Sequence, residues 1–230
     1  MKKVLFSFLA ISVILFSCDK EDNNVTPPPP APAFQWPAGT NEYAPHTMGS
    51  TFTFESAAGT PVVIDSFTYT VVKDTTINAL PFKKLTSNKP ALGPTFFANY
   101  NAGVVTNISY NIDFQGLATI PVVSQTILKD NVAVNTTWAE MQNITVSGFT
   151  IPVTFSYTLM QKDYTKVVLA KDYANTIEVK QVISIPAQIA VLAGIPASNT
   201  VNNYFAKGAG LIERTGVGNS VKIKRYTVVK

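Results

Sequence analysis

Strict alternation of apolar and polar side chains constrains the fold of this sequence more than any other feature. Residues 107–114 (NISYNIDF) and 149–159 (FTIPVTFSYTL) place an apolar residue at every second position. This period puts the two sets of side chains on opposite faces of an extended strand, so both segments are predicted to be half-buried antiparallel strands. Residues 63–72, 175–185 and 221–229 predict further strands of the same kind.

Turn residues divide these runs at short intervals, as at Asn101–Gly103 and Gly216–Asn219. Pro152 cannot donate to a strand ladder, which indicates an edge or a bulge at its position. Residues 186–194 alone suggest a helix, short and apolar enough to pack on the sheet. We therefore predict an all-β fold of roughly 12 to 16 antiparallel strands, built as a sandwich or an open half-barrel, with at most that one short helix.

Short segments recur in the same order in the two parts of the chain, which can indicate an internal repeat. The matched pairs are GSTFTFES (49–56) with NTTWAEMQ (135–142), FTYT (67–70) with FSYT (155–158), and FFANYNAGVV (96–105) with YFAKGAGLIE (204–213). Two related halves, residues 49–115 and 135–230, are predicted on this basis. Chance similarity between aromatic strands is the alternative.

The first residues of the chain carry an export signal. Two lysines precede Val4–Phe16, an apolar stretch too short to span a bilayer and typical of a secretory signal peptide. Cys18, the single cysteine, follows Ser17 and stands three positions after Leu15. This pattern resembles the bacterial lipobox, which implies removal of residues 1–17 and acylation of Cys18. The alternative is an ordinary signal peptide with an incidental cysteine.

Residues 18–33 have the composition of a tether between a lipid anchor and a folded body. Asp19–Asn24 is rich in acidic residues, and Val25–Ala33 is rich in proline, which favours an extended chain. The acidic cluster resembles the export signal of surface lipoproteins of the Bacteroidota type. It implies a lipid-anchored protein of the outer membrane on the cell surface, with the periplasmic face as the alternative. The β-rich domain is then residues 34–230.

The composition makes several kinds of chemistry improbable on residue types alone. His46 is the only histidine, so the usual zinc sites and Ser-His-Asp arrangements lack their ligands or base, and we interpret His46 as a surface residue. The net charge of +4 includes two lysines of the signal segment, and no nucleic-acid-binding motif is present. No metal, cofactor or enzymatic activity is predicted. A carboxylate hydrolase that uses residues such as Asp113 or Glu140 is the minor alternative.

The C-terminal part of the sequence, Val134–Lys230, resembles lipoproteins of the Bacteroidota type. The resemblance rests on Trp138, on VVLAKDYANTIEVKQV (167–182) and on YFAKGAGLIER (204–214). Such domains are similar in turn to the half-barrels of LolA/LolB-like periplasmic carriers, in which a sheet curls around an apolar groove. The resemblance implies a curled sheet and brings no catalytic residues.

The predicted function is binding of a ligand or a partner without catalysis. Aromatic faces stack on sugars and fill apolar grooves, so the candidate ligand-binding residues are aromatic. They are Phe96, Phe97, Tyr100, Tyr204 and Phe205. The partner could be a glycan, a lipid or a protein, besides the membrane that the lipid contacts. A carrier that shields lipid in an apolar groove and a structural subunit of a surface assembly are the alternatives.

Overall fold

The computed structural model describes residues 42–114, 118–146, 149–194 and 196–230. All of them belong to the second of two units into which the chain divides, Met1–Gln35 and Trp36–Lys230. The predicted signal peptide, Cys18 and the tether therefore lie outside the described residues.

Twelve strands and one helix account for the regular structure of the described residues. In chain order they are β1 (Thr51–Ala58), β2 (Val63–Ile77), β3 (Leu80–Ser87), β4 (Phe96–Asn101), β5 (Val104–Phe114), β6 (Ala118–Lys129), β7 (Thr137–Val146), β8 (Phe149–Val168), β9 (Lys171–Ser184), α1 (Ala187–Ala193), β10 (Ser198–Ala206), β11 (Gly210–Gly216) and β12 (Asn219–Thr227).

All twelve strands belong to one antiparallel sheet with the order β6-β5-β4-β3-β2-β1-β12-β11-β10-β9-β8-β7. Strands β1 to β6 form one meander and β7 to β12 form a second, and the two meanders join through β1 and β12. The sheet curls until β6 and β7 contact each other, which makes it an almost closed, barrel-like sheet. The prediction of an all-β antiparallel fold with one short helix is confirmed. The sheet is barrel-like, as in the predicted half-barrel, but it is nearly closed rather than open.

The alternating sequence accounts for the burial pattern of the strands. In β7, Trp138 and Ile144 are buried, whereas Ala139, Met141 and Asn143 between them are exposed. Side chains on one face of a strand point into the barrel and those on the other face point to solvent. Apolar residues at every second position thus suffice to build the interior.

Local sequence signals explain where strands end. At the β4–β5 turn, Ala102 and Gly103 both have positive φ angles, of 49° and 85°. A side chain at Gly103 would also place its Cβ 2.2 Å from the carboxylate of Asp130, so only glycine fits. Pro152 lies just beyond the first residue pair between β8 and β9, Thr154 with Ser184, and there β8 has only β7 beside it. The predicted edge position of this proline is confirmed.

Helix α1 begins after Pro186 and ends at Gly194, whose φ of 65° gives the left-handed C-cap common at helix ends. Only part of its apolar surface packs on the sheet. Ala190 is buried, but Val191 and Leu192 are 80% and 84% exposed. The predicted packing of the helix is therefore seen at Ala190 and does not extend to Val191 and Leu192. No helix in the described part of the chain has the length and apolarity to cross a membrane.

The matched sequence segments fall on equivalent strands of the two meanders. The first pair lies on β1 and β7 and the second on β2 and β8, while the third covers the β4–β5 and β10–β11 hairpins. Each of these is therefore the same element, counted from the start of its own meander. This agreement is what two related halves require, and common ancestry of the halves stays a prediction.

Candidate functional site

A cavity of about 240 Å³ lies among the inward-facing side chains of both meanders. It is larger than the apolar cavity of about 150 Å³ that admits a benzene molecule in another protein. Its apolar wall includes Phe52, Phe54, Leu85, Phe96 and Phe205. The space therefore suits the apolar part of a small organic molecule.

The register of the sheet brings these side chains together from distant parts of the sequence. Phe96 of β4 stands opposite Leu85 of β3 and Ser109 of β5, and all three line the cavity. Phe205 enters from the other meander, where it pairs with Leu211 of β11. Cross-strand partners share a face of the sheet, so each ladder adds neighbouring groups to the same wall.

Interlocked aromatic rings give this wall a defined shape. The rings of Tyr69 and Phe96 meet edge to face at 5.0 Å, and those of Phe54 and Phe67 stack at 5.6 Å. The hydroxyl of Tyr69 donates a hydrogen bond to the carbonyl of Pro94 at 3.1 Å, and burial raises the pKa of this phenol. Such aromatic pairs add roughly 0.5–1.5 kcal/mol beyond burial, which favours a wall that keeps its form.

Among the described residues that line the cavity, Arg214 of β11 is the only one with a formally charged side chain. It has no hydrogen-bond or ion-pair partner among the described residues. Arg214 is exposed as a whole residue, yet burial of the guanidinium by surrounding protein lowers its pKa below the usual value, while Tyr157 and Tyr69 act in the opposite direction. Both observations agree if the guanidinium borders the space inside the barrel. Because an arginine remains protonated in proteins, the cavity carries a positive charge.

The nearest acidic residue in sequence cannot neutralise this charge. Glu213 pairs with Tyr204 across the ladder, on the face of β11 opposite Arg214. Its carboxylate contacts the ammonium groups of Lys166 at 2.8 Å and Lys222 at 3.6 Å. The acidic side chain is thus already engaged outside the cavity.

Two further polar groups of the lining lack partners. The side-chain oxygen Oδ1 of Asn107 is buried without a hydrogen-bond donor. The imidazole of His46 packs edge to face on Phe52, with ring centroids 5.4 Å apart, and no described residue hydrogen-bonds it. Burial lowers the pKa of His46 to about 4, so the ring is neutral at physiological pH. The interpretation of His46 as a surface residue is wrong, because the segment before β1 folds into the cavity wall.

The structure brings together two of the five aromatic residues proposed from the sequence. Phe96 and Phe205 line the cavity. Tyr100 is partly buried against the core and donates a hydrogen bond to the carboxylate of Asp130 at 2.8 Å. It does not belong to the lining.

The other two aromatic candidates face away from the cavity. Phe97 packs edge to face on Tyr110, with centroids 5.5 Å apart. Tyr204 lies below the ammonium of Lys166, at 3.6 Å from the ring centroid, and its hydroxyl donates to Glu178 at 3.3 Å. Neighbouring residues of a strand point to opposite faces, which separates Phe97 from Phe96 and Tyr204 from Phe205.

Side chains of β7 close the barrel against β6. The indole of Trp138 donates to the carbonyl of Thr126 at 2.7 Å, and the amide of Thr126 donates to both carboxylate oxygens of Glu140 at 3.0 and 3.1 Å. Gln142 donates to the carbonyl of Ser124 at 2.6 Å. We call these five residues the side-chain seam. Glu140, a carboxylate candidate for hydrolysis, is part of it, while the side chain of the other, Asp113, lies outside the described residues.

Sequence reasoning missed His46, Asn107 and Arg214 as members of the site. Each is a single polar residue, without a motif that would mark it. Among the described residues, no group of three or more His, Cys, Asp or Glu side chains lies close enough together to hold a metal ion. The groups that line the cavity offer an ion pair, hydrogen bonds and apolar contact.

Comparison with solved structures finds a related fold. The chain is similar to the crystal structure of a "putative lipoprotein" from Parabacteroides distasonis, with a TM-score of 0.51 and 10% sequence identity over 80% of this chain and 98% of that chain. A "putative exported protein with YmcC-like fold" from Bacteroides fragilis gives a TM-score of 0.42 and 9% identity, over 80% and 97% of the two chains. No protein-family model matches the sequence, and no curated protein matches it significantly. The resemblance to lipoproteins of the Bacteroidota type is thus matched at the level of the fold.

Proposed function

We propose that this chain is a lipoprotein, anchored to the outer membrane through Cys18 and displayed on the cell surface, whose barrel-like domain holds a small, mainly apolar ligand without reacting with it. The observation that carries the proposal is the 240 Å³ cavity, which has an aromatic wall and three polar side chains, His46, Asn107 and Arg214, that find no hydrogen-bond partner in the described part of the chain. Ligand sites are typically concave and apolar with a few polar groups that fix orientation. The fold shared with a putative lipoprotein supports the same assignment.

The ligand can be sought in the protein itself. The complete mature chain, residues 18–230 with Cys18→Ser, is exported with a cleavable signal and purified without detergent, so that no acyl anchor contributes. Native mass spectrometry followed by solvent extraction should reveal a co-purified molecule with an apolar part. A population that is consistently empty, and that gains no mass from added octanol or octanoate, would refute interior binding.

A cavity-filling variant tests where the ligand sits. Ser109 lines the cavity, so Ser109→Phe should place a ring in the space and reduce the amount of bound molecule. Ser198→Phe makes the same change at an exposed position at the start of β10 and should leave binding unchanged. Equal occupancy in the two variants would place the ligand elsewhere.

Anchorage is tested separately on the native protein. Mass spectrometry of the N-terminus from membranes should find acylated Cys18 as the first residue. Protease treatment of intact cells should then remove the domain if it is displayed on the surface. An unmodified chain that begins at Met1 would contradict the anchor, and resistance to protease would indicate the periplasmic face.

A further inference from the structure

The polar groups of the cavity form a pattern that an apolar ligand alone does not explain. Arg214 presents a positive charge with no counter-charge in the lining, and Asn107 presents a hydrogen-bond acceptor with no donor. A guanidinium that borders a mainly apolar cavity is available to an anion that enters it, and unpaired buried polar atoms such as Asn107 Oδ1 are rare in folded proteins. A ligand that complements these two groups therefore carries an anionic group and a hydrogen-bond donor.

The surroundings of Arg214 favour an anion from outside the chain. Asn203, its neighbour across the ladder, is an amide, and Val221 on the other side is apolar. Gln181, which also lines the cavity, donates to the hydroxyl of Tyr157 at 3.1 Å, so both of these groups are engaged with each other. A guanidinium binds carboxylate and phosphate groups through two parallel hydrogen bonds, which no side chain of the lining can offer.

We propose that the cavity binds an amphipathic anion: Arg214 binds its carboxylate or phosphate, Asn107 accepts a hydrogen bond from a donor on the same molecule, and the phenylalanine wall surrounds its apolar part. This inference rests on the proposed function and adds the chemical class of the ligand. Carboxylate and phosphate heads share the chemistry that Arg214 recognises, and they point to fatty acids or to phosphorylated lipids.

Matched probes separate the charge from the apolar part. Binding of octanoate, octyl phosphate, octan-1-ol and octylammonium to the mature Cys18→Ser chain is measured by calorimetry. The two anions should bind at least about 10-fold more tightly than the alcohol, and the ammonium more weakly than the alcohol. The tighter of the two anions identifies the head group. Equal affinity for the alcohol and both anions would overturn the proposal that the ligand is an anion. The proposal that the cavity binds a ligand would then still stand. Failure of every probe, together with the absence of a co-purified ligand, would overturn both.

Substitution of Arg214 gives a second, independent test of the proposal. Arg214→Leu should weaken octanoate binding about 10- to 100-fold without affecting octanol. Arg225→Leu removes an exposed arginine from β12 and should change neither. Because Arg214 has no hydrogen-bond or ion-pair partner among the described residues, Arg214→Leu should leave the Tm of the ligand-free protein unchanged or higher, whereas loss of a structural arginine would lower it. A lower Tm, or unchanged octanoate affinity in Arg214→Leu, would overturn the proposal.

Discussion

The two meanders meet at two junctions that are built in different ways. Between β1 and β12 the backbones pair in register from Thr51 with Thr227 to Ala58 with Asn219, apart from one shift after Thr53. Between β6 and β7 no backbone pair is formed among the described residues, and the contact is the side-chain seam. The first junction resembles the inside of any sheet, whereas the second depends on which residues β7 carries.

This difference decides how each junction responds to change. A ladder hydrogen bond uses groups that every residue except proline possesses, so most substitutions leave the β1–β12 junction in place. The seam relies on Trp138, Glu140 and Gln142, which occupy alternate positions of one strand. Regions with fewer ordered hydrogen bonds open locally at lower free energy. The barrel should therefore open first along the seam.

Breaking the ladder should have the largest effect. Ser220 lies in β12 and pairs with Ala57 of β1 and Thr215 of β11, so Ser220→Pro removes a donor and distorts both ladders. We expect a loss of about 4 kcal/mol or more in the free energy of unfolding, measured in urea. Ser220→Ala keeps the backbone donor and serves as the control. A loss below 1 kcal/mol in the proline variant would mean that the ladder contributes no more than the seam.

Acid should weaken the start of the same ladder by a smaller amount. His46 packs on Phe52 of β1, and its pKa is about 4 in the folded protein against 6.5 when exposed. The unfolded chain therefore takes up the proton first, and stability falls as the pH drops from 6.5 to 4, by up to about 3 kcal/mol. Urea unfolding of the wild type and of His46→Gln across this range measures the difference. Identical pH profiles would remove His46 as the cause.

The seam should give the smallest change in global stability and the clearest local one. Glu140→Gln replaces a charged acceptor of the Thr126 amide and should cost about 1–2 kcal/mol, with faster hydrogen exchange at Thr126. Gln142→Leu, two positions along the same strand, separates the effect of the charged acceptor from that of a neutral seam hydrogen bond. It removes one hydrogen bond together with an unpartnered buried oxygen, so the net change should be near zero. An unchanged hydrogen-exchange rate at Thr126 in Glu140→Gln would contradict the role of the side-chain seam in closing the barrel.

Most of the strands could be predicted from the sequence, because alternation is a local property. Alternation also predicts that Phe96 and Phe97 point to opposite faces of β4, so only one of them can line the cavity. Both were nevertheless proposed as ligand-binding residues. The pairing of β1 with β12 could not be predicted, because nothing local specifies a contact across most of the chain. Arg214 was missed for a related reason. From the sequence, a single arginine in a strand is predicted to face solvent. Only the curvature of the sheet places Arg214 at the cavity.

The pairing of the first strand with the last has a consequence for how the protein is made. Among the described strands β12 is the last to be synthesised, and until then β1 and β11 each have one edge without a partner. Exposed strand edges are templates for aggregation. A truncation after Gly218 would thus preserve every hairpin up to β11 and leave two strand edges unpaired. The solubility of the chain would therefore depend on whether residues 219–227 are present.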